Sequence, residues 1–343
     1  MISSKINRSL QTTLCLLFLA SIFSRCEENR LQVDTSKINV SIEIERWDSI
    51  WFNMSAVSFR NYDAQWREAQ PQLYKHYVED ILKVGKLSDS NLFAQIRQFT
   101  TDPLIVEVHE KVEEAYSNVD VLESELSNAW KHYAYYFPKA KIPSHVAIEG
   151  GFNIPLAVTE TSIGIPLEMY LGSSTAYYDY LQIPLYLRVR MTPKHLPIAI
   201  LKSWLETEHI LSEDSPTLLD EIIHQGKILY CLDALFPESG DSLKIFYTGS
   251  EVTWAQEHEA NVWAHFIDKE LLFTTDKGEI SKYTREGPFT VDLVKESPAR
   301  MGHHIGWQIV RAFMDKQETI DLKALLTNTE TEQILKQSKY KPS

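Results

Sequence analysis

The residues in this chain with the most chemical potential are Leu205-Glu206-Thr207-Glu208-His209, followed sixteen positions after His209 by Gln225-Gly226. In the zinc-peptidase helix motif H-E-x-x-H, histidines at i and i+4 share one helical face and grip one Zn²⁺ while the Glu activates a water. Glu206 and His209 fill two of those positions, but Leu205 stands at the first and has no lone pair to offer. The third ligand of such sites is a Glu on the next helix, often just before a Gly. Here that place holds Gln225, a neutral amide and a poorer ligand. Glu206 and His209 match the motif either by coincidence or as a remnant, and on both readings a working H-E-x-x-H site is absent. No residue is assigned as catalytic or as a metal ligand, and no cofactor is expected.

The other candidate chemistry has structural explanations. His258 and His265 are seven residues apart, about 10 Å along a helix and too far for one ion. His303 and His304 are adjacent and diverge on a helix. His109-Glu110 with Glu113 falls on a charge-rich amphipathic helix and reads as a solvated face. There is no G-x-S-x-G elbow and no phosphate-cradling Gly loop, and Cys231 lies within an apolar helix face.

The elements that must position Leu205–His209 follow from periodicity. Residues 38–47 alternate apolar and polar and predict a half-buried strand. From 63 to 137 the pattern is helical. Thr101-Asp102-Pro103 opens one helix, and Asp120 opens another whose Leu122, Leu126, Trp130, Tyr133 and Phe137 form one stripe ending at Pro138. Short β-rich runs between 142 and 171, broken by Gly150-Gly151, predict a small antiparallel sheet packed on a helix over 197–211. The aromatic and Pro-rich stretch from Tyr177 to Pro197 reads as a loop packed on its own rings, although such a loop could also line a groove. Further helices are predicted over 216–235 with Ser215 as cap, over 251–272 with Ser250 as cap, and over 302–315. The fold class is α+β and mostly helical, a small sheet followed by a helical core like that of a degenerate zinc peptidase of the gluzincin type.

At 343 residues, 44% hydrophobic and 11% aromatic, the chain can bury a real core. Residues 1–25 read as a signal peptide: Lys5 and Arg8 precede an uncharged run over 14–23, which as a helix spans about 15 Å, half a bilayer core. Cys26, followed by Glu27-Glu28, is the candidate lipidation site, although Arg25 departs from the small residue usual before a lipidated Cys. Residues 26–37 then form a tether, and 38–343 a single domain. The formal charge of −13 becomes about −16 once Lys5, Arg8 and Arg25 are removed, which argues against nucleic acid as a partner.

Several long segments carry a resemblance. They are Gln225-Gly226-Lys227-Ile228-Leu229-Tyr230-Cys231-Leu232-Asp233-Ala234-Leu235-Phe236-Pro237, Asp241 to Thr248, Trp254 with Glu257 to Ile267, and Glu296 to Gly302 running into Gly306-Trp307-Gln308-Ile309-Val310. With these the chain resembles the gliding motility-associated lipoprotein GldB family, densest from 220 to 314. That resemblance implies lipid attachment to the cell envelope, facing the periplasm or in the outer membrane. It also implies a place in a gliding machinery, with envelope and gliding proteins as partners and no known reaction. The family is similar, distantly, to predicted H-E-x-x-H zinc proteases, which favours the remnant reading of Glu206 and His209. Two functions stay open: a non-catalytic envelope protein that keeps a peptidase-like cleft for scaffolding or partner binding, and a metal-dependent hydrolase with a rearranged ligand set such as His209, His224 and a distant His. Stoichiometric metal in the purified protein would discriminate them.

Overall fold

The structure, a computed structural model, describes residues 29–211 and 215–342. The expected signal peptide over 1–25 and the lipidation candidate Cys26 lie outside the described residues. The chain divides into two units, the first ending at Asp34 and the second running from Thr35 to Ser343. Of the first, the described residues form one turn, closed by the Gln32 N–H on the Asn29 carbonyl at 2.8 Å. Every described helix and strand belongs to the second.

Strand β1 (Ile44–Arg46) runs into α1 (Trp47–Asn53), α2 (Ala56–Ala69) and α3 (Pro71–His76), which continues through a π-helical turn at Tyr77–Ile81. Helices α4 (Leu92–Thr100), α5 (Pro103–Ala115) and α6 (Asp120–Tyr136) come next. Then come β2 (Ser144–Ile148), β3 (Ala157–Val158), β4 (Ser162–Pro166) and a 3₁₀ turn at Leu167–Tyr170. Short helices α7 (Ala176–Tyr180) and α8 (Leu185–Arg188) approach α9 (Leu196–Glu208) and α10 (Leu218–Leu235). The chain continues through α11 (Asp241–Ile245), α12 (Gly249–Glu257), α13 (Glu259–Asp268) and α14 (Lys277–Thr284). It ends with α15 (Met301–Met314), α16 (Leu322–Thr327) and α17 (Thr331–Ser338). The fold is α+β and mostly helical, as the sequence predicts.

Local chemistry explains most boundaries. The Asp102 carboxylate caps α5 by accepting from the Leu104 and Ile105 N–H groups, with Pro103 at the first turn. The stripe on α6 is buried from Leu122 to Phe137. Two expected caps move. Thr217 and Thr248 cap α10 and α12, in place of Ser215 and Ser250, because each has an acid three residues on, Asp220 or Glu251, that completes a reciprocal capping box. The single helix expected over 251–272 breaks at His258, whose ring stacks on Trp254 at 4.3 Å and bonds back to the Trp254 carbonyl.

The sheet differs from the antiparallel layer expected. Its order is β1-β2-β4-β3; β2 pairs in parallel with both β1 and β4, and only β3 and β4 are antiparallel. The chain passes from β2 to the edge strand β3 and returns by a hairpin into the middle. Helices cover both faces, so β4 is buried along its whole length, as parallel strands require. The strand expected over 38–47 shrinks to Ile44–Arg46. Upstream of it the Ile42 N–H is taken by Ser127 Oγ, and the Ile44 N–H is taken by the Glu123 carboxylate, both from α6.

One side of the sheet packs on Trp47, Trp51, Trp66, Tyr74 and Tyr77, with Trp47 and Trp66 rings 4.6 Å apart. Beyond the other lies the helical core, whose centre is α10 against α15. Gly226 meets the backbone of Gly306, and Gly306 meets the carbonyl of Ile222, so closely that a Cβ on either would overlap it. Beside this contact Asp233 accepts from Lys244 at 2.9 Å, Trp307 Nε1 at 2.9 Å and both Nε and Nη2 of Arg311 at 2.8 Å, and Arg311 continues to Asp241. The charges are thus paired on all sides before they are buried.

Candidate binding cleft

Helix α9 carries its residues to three different places. Leu205 is fully buried in the core, whereas Ala199, Lys202, Ser203 and Glu206 line a cleft of about 360 Å³. At i and i+4 Lys202 and Glu206 fall on the same face, and the Lys202 ammonium pairs directly with the Glu206 carboxylate. His209 lies one residue past the end of the helix, where its N–H caps the Leu205 carbonyl, and it faces a separate pocket of about 290 Å³. The structure therefore parts Glu206 from His209. Gln225 sits on α10 with its Oε1 buried and without a hydrogen-bond partner.

The opposite wall of the 360 Å³ cleft comes from Pro155 and Leu156, just before edge strand β3, and from Met169 and Tyr170 after β4. Leu187 and Met191 line it too, so the aromatic and Pro-rich stretch does line a groove; its Tyr178 is buried and bonds the Glu168 carbonyl at 3.0 Å. Phe246 also lines it, and Arg190, Glu286 and Arg300 gather together at one end. Arg190 Nη1 donates to Glu286 Oε1 at 2.7 Å, and Arg300 Nε lies 3.3 Å from Glu286 Oε2. Burial works against ionisation of Glu286, but Arg300 and Arg190 outweigh it and hold its carboxyl below the usual range.

In the 290 Å³ pocket His209 and His224 face Lys227. Burial pushes the Lys227 ammonium down to about 8 and the His224 imidazole to about 4, and it lowers His209 as well. Both imidazoles are therefore neutral at pH 7, while Lys227 donates to the Asn328 carbonyl. Among the described residues no three His, Cys, Asp or Glu side chains converge as a metal-ligand set.

A third cluster escaped the sequence. His109, expected on a solvated face, has a side chain only 12% exposed; its ring stacks on Phe52 at 3.7 Å and its Nδ1 lies 2.5 Å from Glu149 Oε1. The Glu149 carboxyl is pushed up to about 7 by burial, against the pull of His109. Glu168, fully buried, accepts from the Gly150 N–H at 2.6 Å and the Phe152 N–H at 3.2 Å, and burial with Glu149 nearby raises it to about 8. It thereby clamps a turn in which Gly151 and Phe152 both have positive φ. The available signal was an acid set inside an apolar run, Ile148-Glu149 and Leu167-Glu168-Met169.

Two further histidines hold neighbouring helices together. His304 bonds Glu259 at 3.0 Å, and His265 Nε2 bonds the Tyr283 hydroxyl at 3.0 Å.

Fold and cleft together define a class: a mostly helical α+β domain with an apolar cleft beside an edge strand, its central α10–α15 contact built from the most distinctive segments of the sequence. The family described as Gliding motility protein GldB matches residues 28–342, and the chain belongs to it. It is accordingly a gliding motility-associated protein of a lipoprotein family, which fits a cell-envelope location. No helix among the described residues is long and apolar enough to cross a membrane. No curated protein and no solved structure matches the chain.

Proposed function

We propose that this protein is a non-catalytic cell-envelope lipoprotein of the gliding machinery, anchored by lipid on Cys26, that holds a segment of a partner envelope protein in the cleft beside α9. The observation that carries this reading is the state of Glu206. In a peptidase that carboxylate would face a metal-bound water, whereas here it faces an apolar cleft already paired to Lys202, with Leu205 turned into the core. The test is a cleft-filling substitution. Ser203→Trp should abolish gliding while the protein remains folded in the membrane fraction, and Glu206→Gln should leave gliding intact. Normal gliding with Ser203→Trp would show that the cleft is not used.

A second reading, a metal-dependent hydrolase, is favoured by one observation: His209 and His224 line one pocket as neutral imidazoles. Stoichiometric zinc retained through dialysis, with peptide hydrolysis lost in His224→Ala, would establish it.

A further inference from the structure

The charges at one end of the cleft are unevenly shared. Arg300 is 5% exposed; its Nη2 donates to the Ile245 carbonyl at 3.0 Å, and its guanidinium lies 5.6 Å over the Tyr247 ring. Its Nε is buried without a hydrogen-bond partner, within ion-pair reach of Glu286 but not bonded to it. Arg190, at the same end, spends one donor on Glu286. A single carboxylate, whose side chain is 44% exposed, thus serves two guanidiniums, one of them deeply buried and only partly satisfied. With Lys202 closed on Glu206, the five charged residues of the cleft carry one net positive charge on a chain whose formal charge is −13.

We propose that the cleft takes the free C-terminus of a partner polypeptide, its α-carboxylate displacing Glu286 from Arg190 and Arg300. This rests on the partner-binding reading and names the chemistry of the partner. Glu286 is the natural group to be displaced, because it is the exposed member of the trio and can turn to water at little cost, whereas Arg300 cannot leave. Paired guanidiniums suit a planar carboxylate that accepts in bidentate fashion. Behind them Leu156, Met169, Tyr170 and Phe246 offer apolar wall for about two or three terminal side chains, within the usual size range of small binding sites. A polypeptide fits better than a fatty acid. The cleft runs past Pro155 and Leu156, which lead into β3, and past Ser203, whose hydroxyl can bond a terminal amide and which an alkyl chain would leave unpaired.

The test uses the full-length protein purified in detergent and immobilised. It is exposed to mixed N-acetylated tripeptides, half as free acids and half as C-terminal amides, with retained species read by mass spectrometry. Free acids with apolar last residues should be retained at least ~10-fold over their amides. Arg190→Gln, at a partly exposed position, should erase that preference, and Glu286→Gln should strengthen retention of acids by removing the competing carboxylate; melting curves confirm that each variant is folded. Equal retention of acids and amides, or no retention of either, overturns the inference, as does displacement of the bound acids by equimolar decanoate. The partner-binding reading is judged separately by the gliding of Ser203→Trp cells.

Discussion

At the scale of single residues, Leu205 and Glu168 show how burial decides what a side chain can do. Leu205 occupies the first position of a metal-binding pattern, yet it points into the core, so the missing ligand cannot be restored there. Leu205→His should cost about 2–5 kcal/mol, through lost apolar contact and a buried imidazole without a partner, and bring no zinc with it; calorimetry and metal analysis of the variant check both. Glu168 makes a prediction about pH. Its carboxyl ionises near 4.5 when unfolded and near 8 when folded. Between those values the folded state holds the extra proton, so this group's contribution is fully present below about 4.5 and is lost as pH rises to about 8. Glu168→Gln keeps an acceptor for the Gly150 and Phe152 N–H groups. Its thermal melts should therefore decline less from pH 5 to 8 than those of the parent, the residual slope coming from Glu149 and His109. Parallel melting profiles would refute the assignment.

At the scale of elements, the close approach of α10 and α15 gives Gly226 a meaning that its place after Gln225 concealed. In the sequence Gln225-Gly226 reads as the remains of a third ligand position on the following helix; in the structure Gly226 lets the backbone of Gly306 approach. Gly306→Ala should therefore destabilise by at least about 2 kcal/mol, while Gly249→Ala, where an added Cβ meets nothing, should leave stability nearly unchanged; urea denaturation of the two side by side is the measurement. Thr217→Ala should cost about 1 kcal/mol through the lost cap of α10, measured the same way. Helices were legible because their stripes and caps are local. The sheet's order was not, since residues 149–156 carry the chain past β4's place and nothing local records that crossing. A clue to parallel pairing was nonetheless present: Val146-Ala147-Ile148 and Ile163-Gly164-Ile165 do not alternate, because both faces are covered. The 38–47 alternation promised more strand than forms, since the Glu123 and Ser127 side chains of α6 take the place of a neighbouring strand.

At the scale of the whole molecule, the segments that carried the family resemblance turn out to be architectural. Asp233, Asp241, Lys244, Trp307 and Arg311 lock α10, α11 and α15 together, and Glu259 ties His304 and the Tyr340 hydroxyl near the C-terminus. The cleft was only partly legible, because its lining is drawn from seven stretches between Pro155 and Arg300 that no spacing rule connects. Anchoring belongs to this scale as well. Cys26→Ala should abolish incorporation of labelled palmitate and move the protein from the membrane to the soluble fraction, and unchanged labelling would refute lipidation at that residue.

The glycine-to-glycine contact also bears on how the protein is made. Helix α10 is apolar on nearly all sides, and the surface meant to cover it belongs largely to α15, which is synthesised much later. A nascent chain that has emerged only as far as Arg300 leaves the α15-facing side of α10 uncovered, although α6, α9, α11 and α14 can already pack on its other sides, and that exposed side invites aggregation. Ribosome stalling, slow translocation or truncation before Met301 would each prolong that interval. The chain is thus one whose second half must arrive almost as a unit before that side of α10 is covered.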